Sequence, residues 1–393
     1  MKRIIVLNDF PIYPPNHGGK IRIYNIYKRL SKEYFIIYLC FGNDPETTKT
    51  YIKENFIEIR VPKSHIQKIA EFIAAKALGI PADDITAMIL GKYNSNIKRT
   101  LRYHLNDCDI VVLSHPYMFP IIESTINSRP IIYESHNVEY SLKKNMIKKK
   151  LIKNLFTSTV RNLEGRLISK SHIVFTTSSS DGYELKKLYN LQDKKLYISP
   201  NGTNVEDFAD IIKNSEREED KPFNNPVAIF IGSAHAPNIE AVRTIIEQIA
   251  PCTSGIHFLI CGSVCRGLNT KNLSKNISLT FEITDGEKLK MYRTAAIALN
   301  PMLSGSGTNL KMLEYMASGI PIITTPIGSR GIDIEDQNHA LICDISEFPE
   351  RIYQLISDPE LSNKLRYNAL KLVKEKYDWE IIAENMAYVF RRL

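Results

Sequence analysis

The sequence has few cysteines, one tryptophan and no long apolar run. Its six cysteines among 393 residues are too sparse and unevenly spaced for a disulfide framework, so we expect a reducing, cytoplasmic compartment. No segment approaches the roughly 18 apolar residues of a membrane-spanning helix. The apolar run at residues 4–7 is shorter than the roughly 7–15 apolar residues of a signal peptide, and we interpret it as a β-strand.

The charge is unevenly distributed along a chain of ordinary globular composition. Hydrophobic residues make up 44% and charged residues 24% of the sequence, which argues against a disordered or collagen-like chain. Residues 1–200 carry 31 Lys and Arg against 18 Asp and Glu, a net charge of +13, whereas residues 201–393 carry 20 against 25, a net charge of −5. The two halves are therefore expected to face different partners, or the first half to meet something anionic.

Short apolar runs and helical patterns alternate along both halves of the chain. The runs are continuous rather than alternating, which favours parallel strands covered on both faces. A polar stretch at 213–225 interrupts the series. We predict an α/β protein of two facing doubly wound, Rossmann-like domains with a cleft between them. The predicted bounds are residues 1–200, residues 201–376 and a final helix at 377–393.

The segment 300–330 carries the strongest signal for a binding site. A predicted strand runs into a glycine-rich loop and then into a helix, whose free N–H groups and positive dipole end favour phosphate. Lys311 lies in the first helical turn, where a bound anion would justify it, and Glu314 shares its face. The alternative is an ordinary exposed pair. A dinucleotide motif is disfavoured because Leu310 stands where the third glycine would be. The loop residues are Gly305, Ser306, Gly307, Thr308 and Asn309.

Several motifs together resemble one enzyme family. They are Gly18-Gly19, HNVE at 136–139, PNGTNVEDF at 200–208, FIGSAHAPN at 230–238 and GSGTNLKMLEYMASGIPIITT at 305–325. In this order they are similar to GT-B glycosyltransferases of the retaining family 4, the glycosyl transferases group 1. The block at 305–325 is the specific part, and the resemblance covers nearly the whole chain.

The resemblance implies a hexosyltransferase that retains anomeric configuration. A UDP- or GDP-sugar would bind the second domain and a lipid-linked or polysaccharide acceptor the first, with the final helix crossing back onto the first domain. Glu314 would bind the ribose, and Lys311 with the 305–309 loop would bind the diphosphate and sugar. Gly18 and Gly19 would let backbone approach the diphosphate. His136 would hydrogen-bond the transferred sugar or the reacting centre. No metal and no cofactor are expected.

Two departures from the family pattern concern the phosphate charge. Ser306 stands where members often carry a first glutamate, eight positions before Glu314. The loop after the strand that opens the second domain lacks the usual Arg and Lys. Lys311, together with His235, would have to neutralise the leaving diphosphate.

The histidines and nearby carboxylates leave alternatives open. His136 follows a predicted strand, and the alternative to a catalytic role is a structural histidine at a strand end. His115 and His17 are weaker candidates. A double displacement would need a carboxylate nucleophile, for which Glu134 and Glu139 are the nearby choices; the resemblance favours same-face substitution instead.

The lysine-rich stretch 140–163 bears a charge of +7. Over residues 142–156 the apolar residues do not segregate on a helical wheel, so an amphipathic membrane helix is not supported. Attraction to an anionic membrane surface stays open and would place the protein peripherally on the inner face of the cell membrane. The alternative is a solvated basic face. A nucleic-acid partner is disfavoured because the stretch lacks interleaved aromatic residues. Two other functions also stay open, a sugar-nucleotide epimerase on the same fold and a non-catalytic partner subunit.

Overall fold

The computed structural model describes residues 1–126, 129–147, 150–213, 223–268, 273–305 and 307–393. The chain divides into two compact units. The first unit contains Met1–Pro200 and Ile382–Leu393, and the second contains Asn201–Ile381. Among the described residues, no helix combines the length and the apolar character needed to cross a membrane.

An eight-stranded sheet forms the centre of the first unit, in the order β3-β4-β2-β1-β5-β6-β7-β8. All neighbouring pairs are parallel except β3 and β4. The strands are β1 (Arg3–Leu7), β2 (Phe35–Gly42), β3 (Thr48–Lys53), β4 (Phe56–Pro62), β5 (Ile110–Leu113), β6 (Ile131–Ser135), β7 (Ile173–Thr176) and β8 (Leu196–Ile198).

Helices flank this sheet. They are α1 (Gly18–Leu30), α2 (His65–Leu78), α3 (Asp83–Leu90), α4 (Ser95–Leu105), α5 (Phe119–Ile122), α6 (Glu139–Met146), α7 (Lys150–Lys170) and α8 (Ser179–Tyr189). The last helix of the chain, α15 (Trp379–Arg391), starts in the second unit and contributes Ile382–Leu393 to the first. There Phe390 packs on Tyr34, with ring centroids 6.0 Å apart, and Arg391 donates to Glu33 over 2.6 Å.

The second unit has a six-stranded, all-parallel sheet in the order β11-β10-β9-β12-β13-β14. Its strands are β9 (Val227–Ile231), β10 (His257–Cys261), β11 (Ile277–Thr280), β12 (Ile297–Asn300), β13 (Ile322–Thr324) and β14 (Leu341–Ile342). Its helices are α9 (Ala209–Lys213), α10 (Ala236–Thr244), α11 (Asp285–Thr294), α12 (Leu310–Ala317), α13 (Phe348–Ser357) and α14 (Pro359–Leu372).

Alternation along the strands gives the second sheet two buried faces. Phe230 and Phe258 belong to one apolar cluster, whereas Ile229 and Leu259 belong to another. A parallel sheet covered on both sides needs such continuously apolar strands. The α/β fold with doubly wound sheets and a final helix that returns to the first unit is confirmed.

The structure defines two segments that the sequence singled out. Gly18 and Gly19 are the first two residues of α1. The lysine-rich stretch is not one helix, because α6 ends at Met146 and α7 begins at Lys150. Lys143 is buried and pairs with Asp84, so it is not part of a solvated basic face. Lys148 and Lys149 lie outside the described residues.

Candidate functional site

The glycine loop of the second unit leaves the N-terminus of α12 open. Gly305 and Gly307 have φ angles of 129° and 71°, a region that favours glycine over residues with a side chain. Asn309 stands at the N-cap position but makes no side-chain cap bond; its Nδ2 donates to Asn300 Oδ1 over 3.0 Å. The first N–H groups of α12 are therefore available to an anion. Ser306 lies outside the described residues.

Lys311 is half-buried rather than exposed. Its Nζ donates to Asn238 Oδ1 over 2.7 Å and lies 4.0 Å from the centroid of the Phe230 ring. Burial lowers the pKa of Lys311 to about 7, and the neighbouring Glu314 opposes this shift only in part. The ammonium group is thus poorly solvated, and no carboxylate among the described residues forms an ion pair with it, so an anion would stabilise its charged form.

Glu314 is held by two side chains of α11. Its Oε1 accepts from Lys288 Nζ over 3.0 Å, and its Oε2 accepts from Tyr292 Oη over 2.7 Å. Burial acts to lower the pKa of Lys288, but the Glu314 and Asp285 carboxylates outweigh this effect and raise the pKa. The carboxylate is fixed in orientation, yet its side chain remains 27% exposed and can accept further hydrogen bonds.

A cavity of about 470 Å³ lies where β10 and β11 end, next to the start of α11. It is lined by Gly262, Ser263, residues 281–284 and Glu287. Gly262 has a φ of 99°, and a Cβ there would lie 2.4 Å from the carbonyl oxygen of Gly232, so only glycine fits. Because α11 also carries the partners of Glu314, the cavity and the carboxylate adjoin along one helix.

Two cationic candidates differ in their relation to the glycine loop. His235 is exposed at the N-cap position of α10 and makes no side-chain cap bond. Arg330, which sequence reasoning missed, donates from Nη2 to the carbonyl oxygen of Gly307 over 3.2 Å. Its guanidinium is exposed and retains donors for a second acceptor. Arg330 follows β13 by six residues, and no motif in the sequence marks it.

In the first unit, the histidine candidates meet at the carboxyl ends of neighbouring strands. His115 follows β5 and His136 follows β6, with ring centroids 4.6 Å apart. His115 Nδ1 lies 3.0 Å from Asn8 Oδ1. Burial lowers the pKa of His115 to about 3 and that of His136 well below its usual value. Both rings are therefore neutral near pH 7.

The Nε2 atom of His136 is buried and has no hydrogen-bond partner in the part of the chain that the structure describes. Its nearest carboxylate is Glu134, whose Oε1 lies 3.8 Å away, beyond hydrogen-bond distance. A buried nitrogen of this kind costs free energy unless something pairs with it. His136 is thus available to a ligand hydroxyl, whereas His17 is exposed beside the Phe10 ring.

Glu134 is the centre of a buried polar network that sequence reasoning did not predict. Arg22 Nη2 lies 3.3 Å from its Oε1, and both side chains are at most 1% exposed. Tyr27 and Ser114 donate to its Oε2 over 3.1 and 3.0 Å. Arg22 also donates to the Pro200 carbonyl over 2.6 Å. The two hydrogen bonds to Oε2 and the nearby Arg22 guanidinium reduce the nucleophilicity of this carboxylate, although Oε1 has no hydrogen-bond partner among the described residues.

Glu139, the other candidate nucleophile, is buried and accepts from Tyr117 Oη over 2.6 Å. Burial raises the pKa of Glu139 to about 8. It is therefore mostly protonated at neutral pH and does not present an ionised carboxylate. Both geometries weigh against double displacement.

At the start of α1, Gly18 and Gly19 follow His17, which makes no side-chain cap bond. The first turn of α1 carries no acidic residue. A Cβ added to Gly19 would meet only the Phe10 ring, at an ordinary 3.8 Å. Packing within the first unit therefore does not require glycine at this position.

The comparisons with known proteins agree with this architecture. Residues 225–358 match the family described as Glycosyl transferases group 1. Over 403 aligned residues the chain is 25% identical to an uncharacterized 44.6 kDa protein in the cps region of Klebsiella pneumoniae, with 96% of each covered.

Solved structures share the fold over the whole chain. Sucrose-phosphate synthase from Thermosynechococcus elongatus superposes with a TM-score of 0.70 at 15% identity, covering 100% of this chain and 99% of that one. HepE from Anabaena in complex with UDP-glucose superposes with a TM-score of 0.68 at 13% identity, covering 100% of both chains. The fold is therefore that of the GT-B glycosyltransferases, and the family match lies in the second unit.

Proposed function

We propose that the protein is a glycosyltransferase that moves a hexosyl group from a nucleoside diphosphate sugar to a lipid-linked or polysaccharide acceptor with retention of configuration. The observation that carries this proposal is the order of features in the second unit. The cavity would correspond to the base and the fixed carboxylate to the ribose. The uncapped helix N-terminus and the half-buried lysine would then correspond to the diphosphate, which is the order of these parts in such a donor. The match to glycosyl transferases group 1 over 225–358 supports it.

Each part of the donor has a chemically suitable partner. The base would enter the cavity against Phe281, whose side chain is 45% exposed. The ribose hydroxyls would donate to Glu314. The diphosphate would accept from the loop amides and from Lys311 and Arg330, so that side chains and a helix end carry the charge. Among the described residues, no group of three potential metal ligands lies together, and we propose that no metal is needed.

The first unit would supply the acceptor side. We infer that the unpartnered Nε2 of His136 hydrogen-bonds a hydroxyl of the transferred sugar. The bond from the anomeric carbon to the phosphate oxygen breaks while the acceptor oxygen attacks from the same face. The acceptor proton passes to the departing phosphate oxygen. Gly18 and Gly19 would let the amides at the start of α1 approach the diphosphate.

The donor is best sought first among UDP-sugars. HepE was solved with UDP-glucose. A second structure of the same fold, described as trehalose-6-phosphate from Escherichia coli, was solved with UDP-2-fluoro glucose. GDP-sugars remain the second choice. A cytoplasmic location, where nucleotide sugars are made, is part of this proposal.

A panel of nucleotide sugars with candidate acceptors tests the proposed activity. Release of the nucleoside diphosphate together with a product of unchanged anomeric configuration, read by NMR, supports retaining transfer. An isomerised donor would instead identify an epimerase. Donor binding without any turnover across the panel would favour a non-catalytic partner subunit.

A further inference from the structure

Helix α2 of the first unit directs its large apolar side chains away from the protein. Ile66, Ile69, Phe72 and Ile73 are 71%, 62%, 73% and 59% exposed. At 100° per residue these four positions fall within about 120° of arc, on the side opposite the face that packs inward. A helix of a globular protein normally shows the reverse pattern.

The inward face of α2 is partly polar. Gln67 is fully buried, and neither its Nε2 nor its Oε1 has a hydrogen-bond partner. Glu71 lies toward this side and pairs with Lys63 over 2.6 Å. Leu78 supplies the fully apolar contact with the core. The helix is nevertheless well bounded, because Ser64 caps its start and Gly79 its end, with a φ of 72°.

The exposed face carries positive charge and no acid. Lys68 and Lys76 are exposed on it: Lys68 lies about 40° beyond Phe72 on the wheel, and Lys76 lies within the apolar arc, one turn after Phe72 and Ile73. Glu71, the one acidic residue of the helix, points elsewhere and is already paired. Large apolar side chains accompanied by lysines are typical of a helix that lies in the interface of an anionic membrane, where the lysine stems reach the headgroups.

We propose that α2 docks the protein onto an anionic lipid surface, with Ile66, Ile69, Phe72 and Ile73 entering the headgroup boundary. A second copy of the chain is a poorer occupant, since a symmetric contact would bring Lys68 and Lys76 close to their own copies. The net charge of +13 over residues 1–200 adds long-range attraction to such a surface. This proposal stands apart from the proposed function, because lipid binding requires neither donor nor turnover.

Sedimentation with vesicles tests the docking surface on the full chain. The protein should sediment with vesicles that contain phosphatidylglycerol and phosphatidylcholine in a ratio of about three to seven. The sedimented fraction should decrease as the salt concentration rises. The double variant Ile69→Ser, Phe72→Ser should lower the partition coefficient at least tenfold. Tyr183→Ser is the matched control, since Tyr183 is 70% exposed on another helix of the same unit; it should bind like the wild type. Lys68→Gln with Lys76→Gln should lower binding about 10- to 30-fold.

Fluorescence gives an independent measurement. The chain has one tryptophan, Trp379, which is buried, so Phe72→Trp adds a single exposed reporter. Its emission should shift to the blue on addition of the anionic vesicles and be quenched by brominated lipid. An unchanged emission, or equal sedimentation of the serine double variant and the wild type, would overturn the proposal. A dimer in solution that Phe72→Ser dissociates would overturn it in favour of a second copy.

Discussion

Binding of the donor should be coupled to protonation of Lys311. In the unliganded protein burial lowers the pKa of Lys311 to about 7, so about half of the molecules are neutral there at pH 7. A diphosphate beside Nζ would favour the ammonium form and raise the pKa. On binding the donor, the protein should therefore take up about 0.5 proton at pH 7 and about 0.9 proton at pH 8.

The same coupling sets how affinity depends on pH. The only charged neighbour that acts on Lys311 among the described residues is Glu314; Asn238, Phe230 and Met302 are neutral. Since the neutral form must gain a proton before it binds well, affinity should fall about 15-fold between pH 7 and pH 8.5. A sugar-linked diphosphate has no ionisation in this window, so the change reports on the protein.

The assay is titration calorimetry with the nucleotide sugar that binds best, in two buffers of different ionisation enthalpy. The difference between the two heats gives the number of protons taken up. Lys311→Met should bind the donor more weakly and show neither proton uptake nor a pH slope from 7 to 8.5. Wild-type binding without proton uptake would refute the assignment of Lys311 to the diphosphate.

The stability of the unliganded variant provides a second check on the same residue. The folded pKa of about 7 lies below the ordinary 10.5, so the unfolded chain binds more protons between these values and stability rises with pH across them. At pH 7.5 the poorly solvated lysine costs about 4 kcal/mol, and Lys311→Met removes this cost while leaving Asn238 Oδ1 without its donor, at about 1–3 kcal/mol. The second unit should gain about 1–3 kcal/mol, and the gain should shrink as pH rises toward 10.5. Thermal unfolding at pH 6.5 and pH 9 measures it.

Four further outcomes are expected. Glu314→Gln should weaken nucleotide binding about 10- to 100-fold in calorimetry, because a charged acceptor is lost, and unchanged affinity would remove Glu314 from the ribose site. Arg330→Gln should weaken donor binding and make it less sensitive to salt; an equal salt dependence would leave Arg330 a surface residue. His136→Ala should lower kcat about 10- to 100-fold with nucleotide affinity preserved. A fall in nucleotide affinity with kcat unchanged would mean that His136 does not contact the transferred sugar. Transfer should persist in excess EDTA, whereas loss that Mn²⁺ or Mg²⁺ restores would contradict a metal-free site.

Most of the strands that the sequence predicted are buried on both faces. β1, β5, β6 and β9 consist mainly of apolar residues and are almost continuously buried, and such runs signal strands without reference to the rest of the chain. β8 was also predicted, although none of its three residues is fully buried. The antiparallel edge strand β3 was missed because half of its residues are exposed and four of its six, in TKTYIK, are Thr or Lys. Its pairing with β4, rather than its own pattern, makes it a strand.

The candidate site was predictable to the extent that it is local in sequence. The glycine loop, Lys311 and Glu314 lie within ten residues, so a turn signal and helical spacing were enough to group them. The partners of Glu314 come from Lys288 and Tyr292, which lie 26 and 22 residues earlier. No spacing rule connects two different helices, so these contacts needed the fold.

The buried network of the first unit shows how chain distance hides chemistry. Arg22, Tyr27 and Ser114 reach Glu134 from helix α1 and from the end of β5. As separate residues, each reads as an ordinary polar side chain of a helix or loop. Because an unpaired buried charge costs several kcal/mol, Arg22 and Glu134 can be buried only together, and the parallel order β1-β5-β6 is what brings them to one edge of the sheet. The same edge leaves His136 Nε2 without a partner. The network therefore fixes the surroundings of His136 Nε2, which is why His136 is the first-unit residue that we assign to the sugar.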